Sequence, residues 1–441
     1  MSTAASAPAT GARAWLRARV EPAVLPAAAV AIVVALGFGL IAPVLPLYAR
    51  SFGVAAAQVG LLSAAFSLVR LVCDVPAGRL VNRIGPARSV ALGTAIVAVS
   101  SAAAGLATSF AALVVLRGAG GTGSALFSAG LMAYILSVVP RERMGRAMGV
   151  YQASFLLGSA FGPAVGGLTA DQLGLRGPFF VYAAFCVGAT GVALVTLRGA
   201  TPGNGGEPAR AAHGASASTG GGSGRRLRFA GLPPSRGLLA ALSGAFALWW
   251  FQGGFRFTLV PLFAEERLGL DVAAISFGVT VSAVANLCAT WPAGWAADRF
   301  GRHAVGVPAF AGIALAAAAM LLARDFPGYL AANALLGVCY GAAAVVPGTL
   351  LADAIPRERA GEASGYNYLA QDLGNVLGPV AVGWLLDVAG YPGAVALAAA
   401  PALAAAGAIG VARRQAAIAL PCRAEIEVKG GGGGHPHTPR E

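Results

Sequence analysis

Pro76-Ala77-Gly78-Arg79-Leu80-Val81-Asn82-Arg83-Ile84-Gly85 decides how this chain is built, because it is written twice. Shifted by 216 positions, the distance from Gly78 to Gly294, it becomes Pro292-Ala293-Gly294-Trp295-Ala296-Ala297-Asp298-Arg299-Phe300-Gly301. The register holds far beyond these ten residues. Pro140-Arg141-Glu142-Arg143 falls on Pro356-Arg357-Glu358-Arg359, and Gly145, Gly149, Gly158, Gly162, Pro163, Gly167 and Asp171 fall on Gly361, Gly365, Gly374, Gly378, Pro379, Gly383 and Asp387. A single shift maintained over that length means two copies of one structural unit.

Both copies are suited to lipid rather than water. Of 441 residues, 57% are hydrophobic and only 11% charged, against about 25% charged in soluble domains. Apolar runs of roughly 20 residues recur, each long enough to cross a hydrocarbon core of about 30 Å as a helix. Their approximate spans are 24–48, 58–80, 88–108, 110–139, 145–170, 177–198, 237–264, 272–297, 304–323, 328–353, 361–388 and 392–412. This excludes a soluble enzyme. The net charge of +13 does not indicate a nucleic-acid partner, because the basic residues lie between the apolar runs.

Arginine placement sets the orientation. Arg79, Arg83, Arg88, Arg141, Arg143, Arg146, Arg299, Arg302, Arg357 and Arg359 occupy alternate short loops, and the intervening loops hold only Arg50, Arg176, Arg267 and Arg324. The positive-inside rule places the first set, both termini and the central loop in the cytoplasm. The expected organisation is a cytoplasmic segment 1–23, a six-helix half 24–198, a flexible Gly/Ser/Ala linker 199–236, a second half 237–412 and a disordered cytoplasmic tail 413–441. The run from Val24 to Tyr48, preceded by Arg13, Arg17 and Arg19, is too long for a cleaved signal core and reads as a retained helix. Five cysteines show no ligand spacing and no phosphate-cradling loop is present, so no metal, cofactor or ATP hydrolysis is expected.

Charges inside apolar runs carry the strongest functional signal, since each is costly in lipid unless paired or hydrated. They are Arg70 and Asp74 in the second helix, Arg117 in the fourth, Arg256 in the seventh and Asp372 in the eleventh. Arg70 and Asp74 are four residues apart and share a helix face. Counting 1.5 Å per residue puts Arg70 and Asp372 each roughly 15 Å from the cytoplasmic helix end and Arg256 about 12 Å below the outer one, so their depths nearly coincide. Neutralisation of structural arginines and proton carriage are both open to these acids. Asp171 and Asp387, at outer helix ends, read as loop or capping residues.

Two parallel six-helix repeats joined by a linker, with Gly78-Arg79-Leu80-Val81-Asn82-Arg83-Ile84-Gly85-Pro86-Ala87-Arg88 between the second and third helices, resemble the major facilitator superfamily. Within it, the chain is similar to the drug:proton antiporter group of twelve-helix multidrug exporters. The resemblance implies an all-α membrane protein with twelve transmembrane helices in two pseudo-symmetric halves and both termini cytoplasmic. It makes Gly78, Asn82, Arg83, Gly85 and Arg88, with Gly294, Asp298, Arg299, Gly301 and Arg302, the cytoplasmic gate motifs. The family places an acid at the fifth position of the motif. The first copy has Asn82 there, which can cap a helix but lacks the charge term of about 0.3–1 kcal/mol that an acid contributes.

Gly158-Ser159-Ala160-Phe161-Gly162-Pro163-Ala164-Val165-Gly166-Gly167 in the fifth helix resembles the family's antiporter motif, with Gly158, Gly162, Pro163, Gly166 and Gly167 as its defining residues. Its glycines read equally as a packing ridge against the eighth helix. Arg117 resembles the fourth-helix arginine of proton-linked members, where it tunes neighbouring acids. By the same resemblance the second helix meets the eleventh, and Asp372 exchanges partners between Arg256 and Arg70. Helices one, four, seven and ten line the cavity, to which Trp249, Trp250, Phe251, Gln252 and Phe255 contribute together with Tyr134, Gln152, Tyr340, Asn367 and Tyr368. Such a mixture suits an apolar or amphipathic compound.

The implied function is proton-coupled antiport exporting a small organic compound, by a monomer in the plasma (inner) membrane with lipid as its other partner. Import by symport or facilitated diffusion and a non-transporting sensor are the alternatives. On this reading the gate is asymmetric: Asp298→Asn impairs transport and shifts the conformational equilibrium more than Asn82→Ala does. A transport assay paired with a conformational probe that found the reverse order would overturn the assignment.

Overall fold

The computed structural model describes residues 24–140, 143–197, 235–355 and 360–430, without the side chains of 145, 146, 360–362, 364 and 414–430. Segment 1–23, the linker up to residue 234 and the loop residues Arg141, Glu142 and 356–359 lie outside the described residues. Every regular element among the described residues is helical. Lipid offers no hydrogen-bond partners, so a crossing segment must satisfy its backbone internally.

The first half consists of α1 (Leu25–Arg50), α2 (Ala56–Ile84), α3 (Pro86–Gly105), α4 (Phe110–Val138), α5 (Met144–Leu173) and α6 (Gly177–Thr196). The second begins with α7 (Arg236–Leu268), α8 (Val272–Phe300), α9 (Arg302–Met320) and α10 (Phe326–Ala354). Side-chain caps mark several starts: Ser109 accepts from the Ala112 amide at 3.2 Å, Ser235 from Leu238 at 3.1 Å and Asp325 from Gly328 at 2.9 Å. The gate motif, expected as a loop, is mostly helix. α2 runs on to Ile84 and α8 to Phe300, which leaves Gly85 and Gly301 as the turns.

The last run, Ala360–Gly430, is helical except at Gly390, whose φ of 69° and ψ of −172° divide it into residues 360–389 (α11) and 391–430 (α12). By length and apolarity the described residues contain eleven candidate spans rather than twelve, because Gly365–Arg413 counts as one. That span is 49 residues long, more than twice the about 20 that one crossing needs. The tail expected to be disordered from 413 is helical as far as Gly430. Its stretch 413–429 contains no glycine and includes four Ala and three Arg, which favour helix, together with Pro421, which removes one backbone donor.

The backbone repeats as the sequence does. All six described glycines with positive φ form pairs 216 apart: Gly53 with Gly269, Gly85 with Gly301, and Gly174 with Gly390. Gly174 ends α5, so Gly390 marks the corresponding helix break in the second copy. Two pairs of helix-interior prolines repeat too, Pro76 with Pro292 and Pro163 with Pro379, whereas Pro308 of α9 has Leu92 as its counterpart. Each paired proline removes one backbone donor at the same place in its half.

Apolar side chains such as Val99, Val115, Val195, Trp291 and Leu322 are exposed around the helices, as a hydrocarbon solvent permits. Association between helices therefore depends on close backbone approach rather than on escape from water. α5 provides it through Gly158, Gly162 and Gly166, where an added methyl would collide with the carbonyls of Ile32, Leu36 and Leu40 on α1. The ridge thus faces α1, and only Gly167 packs on α8, against Ser276. The second copy repeats this, with Gly374 and Gly378 against the carbonyls of Phe246 and Trp250 on α7 and Gly383 against Ala56 on α2.

Gly162→Val is expected to cost about 1–3 kcal/mol through overpacking. Gly149→Ala, where an added methyl meets nothing within 4 Å, should be neutral or slightly stabilising. Thermal unfolding of both variants in detergent compares the two.

Candidate functional site

The two halves meet along α2 and α11, which run antiparallel. From the outer end inward, Gly383 packs on Ala56, Gly60 on the Pro379 carbonyl, and the Asn375 amide donates to the Ser67 hydroxyl at 2.7 Å. Next along the same seam come Arg70 and Asp372. Arg70 lies within electrostatic reach of both Asp74 on its own helix and Asp372 on the opposite half, and the two acids also feel each other. Tyr151 of α5 and Tyr368 of α11 join this cluster, the first under the field of Arg70 and the second under that of Asp372. Arg70, Asp74 and Asp372, the charges singled out in the second and eleventh helices, thus lie along one seam. Tyr151, about two turns into α5, was missed because the facing of a helical side chain cannot be read from one sequence.

Arg256 does not join the cluster in this state. It is buried, its Nη1 donates to Gln252 at 3.4 Å, and its guanidinium lies 5.8 Å from the centre of the Tyr340 ring. Its Nε is buried without a partner. The helix around it is a π-helix over Gln252–Leu259, which admits Gly253 and Gly254 close against Pro379 and Gly378 of α11. Arg117 is equally buried in the first half, 4.9 Å above the Phe66 ring with its Nε unpartnered.

Among the cavity candidates, Phe251 and Phe255 stack on each other at 4.6 Å inside the core of the second half. They present no surface to a solute in this state. Trp250 packs on Phe246 at 5.6 Å with its indole nitrogen buried and unpartnered, and Asn367 holds a buried, unpartnered amide oxygen. Gln252 and Tyr340 are partly buried, whereas Trp249, Gln152 and Tyr368 are exposed and Tyr134 is buried within α4. The sequence could not separate these cases, since facing depends on the rotation of each helix.

The two ends of the molecule differ. At the inner end Asn82, Arg83, Arg88, Asp298 and Arg299 are exposed, and Arg299 stacks on Trp295 and Phe300 of its own helix. Gly294 has no neighbour within 4 Å of where a methyl would lie. Arg302 bonds the Thr349 carbonyl at 2.6 Å and pairs with Asp353, both within the second half. Asp298, expected to face the start of α5 near Met144, is exposed at the end of α8, and the loop residues Arg141 and Glu142 just before α5 lie outside the described residues.

At the opposite end, the one that the arginine distribution assigns to the outer face, the halves are joined by an ion pair. Arg50 pairs with Glu266, whose second oxygen accepts from the Tyr391 hydroxyl at 2.6 Å. Arg50 and Glu266 are 216 positions apart, so each is the other's counterpart in the repeat. Equivalent residues meet only near the axis that relates the copies. Leu47 and Ala56 of the first half also belong to the apolar core of the second.

The sequence profile of the Major Facilitator Superfamily matches residues 27–273 and again 241–418. Multidrug resistance protein 2 of Bacillus subtilis is 31% identical over 163 residues, 37% of this chain and 40% of that protein. Quinolone resistance protein NorA of Staphylococcus aureus (strain MRSA252) is 30% identical over 145 residues, 33% of this chain and 37% of that protein. These alignments span well under half of the relatives' own lengths. In fold, the chain resembles a bacterial homologue of the human lysosomal transporter Spinster with a TM-score of 0.72 at 16% identity, covering 91% of this chain and 97% of that one. The nucleoside transporter NupG gives 0.69 at 12% identity, covering 88% and 99%. Two helical copies in one register, a profile that matches each of them and a fold common to solved transporters lead to one conclusion: the chain belongs to the Major Facilitator Superfamily, whose members carry solutes across membranes and are not enzymes.

Proposed function

We propose that this protein is a secondary active transporter of the plasma membrane, working as a monomer by alternating access, that exports a small apolar or amphipathic organic compound in exchange for protons. The observation that carries the reading is the α2/α11 seam, where Arg70 of one half lies within electrostatic reach of Asp74 and of Asp372 of the other, without an ion pair to either among the described residues. Rocking of the halves changes the distance between a carboxylate and the guanidinium. Proximity to a cation favours the ionised acid, and separation with dehydration favours the neutral one, so protonation and conformation become linked. Arg256, turned toward Gln252 and Tyr340 here, is the alternative partner for Asp372 in the opposite state.

The second seam, between α5 and α8, has no charge at the corresponding positions, which are Leu156, Ser159, Asn286 and Thr290. Proton chemistry is thereby confined to one side of the pseudo-symmetric scaffold. The ion pair at the outer end and the exposed gate motifs at the inner end correspond to a cavity open to the cytoplasm, the state that loads an exported compound. The glycine ridge of α5 and the names of the multidrug relatives favour export, and the aromatic and amide groups of α7, α10 and α11 suit a substrate bound by few polar contacts.

In inverted vesicles, a substrate panel of lipophilic dyes and drugs should accumulate when a proton gradient is imposed and not when it is collapsed. Asp372→Asn is expected to reduce gradient-driven accumulation to the level of vesicles lacking the protein while leaving substrate counterflow intact. Full retention of gradient-driven transport in both Asp372→Asn and Asp74→Asn would remove these acids as proton carriers. Uptake into whole cells along an inward proton gradient would replace export by import.

A further inference from the structure

We propose that Asp387 is a gating residue, a latch that closes the outer face by capping a helix of the opposite half. The start of α2 lacks a cap of its own. Ala55 occupies the N-cap position and has no side-chain acceptor, so the first amides of the helix depend on an outside partner. Asp387, near the outer end of α11, supplies it: its two oxygens accept from the Ala56 amide at 2.9 Å and the Ala57 amide at 2.8 Å. The following amides, Gln58 and Val59, turn back to the Ala55 carbonyl at 3.1 and 3.2 Å, and the Ala55 amide donates to Gln58 Oε1 at 3.0 Å. Every donor of the first turn is satisfied, two of them from across the interface.

The repeat shows that this arrangement is not imposed by the scaffold. The counterpart of Ala55 is Asp271, which caps its own helix α8 through the Ala274 amide at 2.7 Å. The counterpart of Asp387 is Asp171, which is exposed and makes no hydrogen bond among the described residues. One copy caps locally and leaves its distal acid idle, while the other has given up the local cap and uses the distal acid. A bond within one helix is insensitive to the relation between halves. A bond from α11 to α2 exists only while the outer face is closed.

Two further features place the carboxylate. Gly383, one turn before Asp387, lets α11 lie against the Ala56 carbonyl, and the charge of Arg50 reaches Asp387 as well as Glu266. An ionised carboxylate at the positive end of a helix gains from the macrodipole as well as from the hydrogen bonds. Opening the outer face removes both and leaves the Ala56 and Ala57 amides to water. The latch requires alternating access but no particular substrate or coupling ion.

The test uses the full-length protein in lipid nanodiscs with spin labels at Leu106→Cys and Leu322→Cys, exposed positions at the outer ends of α3 and α9, in a background without the native cysteines. Pulsed-EPR distances report opening, and hydrogen exchange over residues 55–60 reports the cap. Asp387→Asn, which keeps one acceptor oxygen but loses the charge and the second acceptor, should raise the ratio of open to closed outer face by roughly two- to fivefold, as expected for loss of the charge term, and speed exchange at Ala56 and Ala57. Adding Ala55→Asp to that variant should restore slow exchange and thermal stability while the outer face stays open. Ala55→Asp alone, which removes nothing and competes for the same amides, should also shift the protein toward the open state. Rescue of the wild-type distance distribution by Ala55→Asp in the Asp387→Asn background would reduce Asp387 to a stabilising cap and overturn the latch. So would unchanged distances in every variant alongside altered exchange. Neither measurement involves a proton gradient or a substrate, so a failure of proton-driven transport in vesicles is registered separately.

Discussion

Backbone contact through glycine is the constraint on which this structure rests. In lipid, apolar side chains gain little by leaving their solvent for one another, and helices associate only where their surfaces fit at short range. The ridges of α5 and α11 meet that requirement against α1 and α7. Between the halves the same device recurs, with Gly60 against the Pro379 carbonyl and Gly383 against the Ala56 carbonyl where α2 meets α11.

The seams are where the copies have diverged. Backbone features that shape helices, such as the paired prolines and the three pairs of positive-φ glycines, survived duplication at identical offsets. Several charged residues did not, although Arg83 with Arg299, Arg141-Glu142-Arg143 with Arg357-Glu358-Arg359 and Asp171 with Asp387 did. Asp74 stands opposite Thr290 in the repeat, Asp372 opposite Leu156, Asn82 opposite Asp298 and Ala55 opposite Asp271. The architecture remains symmetric while the charges at these positions are one-sided.

The helices and their repeat were legible in the sequence because lipid enforces long apolar runs and because glycine and proline act through the backbone, where identity alone determines the effect. The clustering of Arg70, Asp74 and Asp372 was legible for a similar reason: few charges enter such runs, and depth can be counted along a helix. Rotation could not be counted. Phe251 and Phe255 turned inward to the core, the α5 glycines faced α1 instead of α8, and Tyr151 entered the charged cluster, all through packing angles that one sequence does not encode locally. The π-helix in α7 compounds this, since its wider turn rotates every side chain beyond Gln252 relative to a regular helix. Contacts between halves, such as that of Asn375 with Ser67, join residues 308 positions apart and carry no local signature.

The pairing of Arg50 with Glu266 has a historical consequence. In a dimer of two identical ancestral chains, a residue beside the twofold axis faces its own copy, and a charged one meets the same sign. An ion pair between equivalent positions cannot arise there. It becomes available only when both copies lie in one chain and can mutate independently, so that one acquires a base and the other an acid. Fusion therefore made possible a contact at the centre of the outer face that a symmetric assembly is forbidden to form.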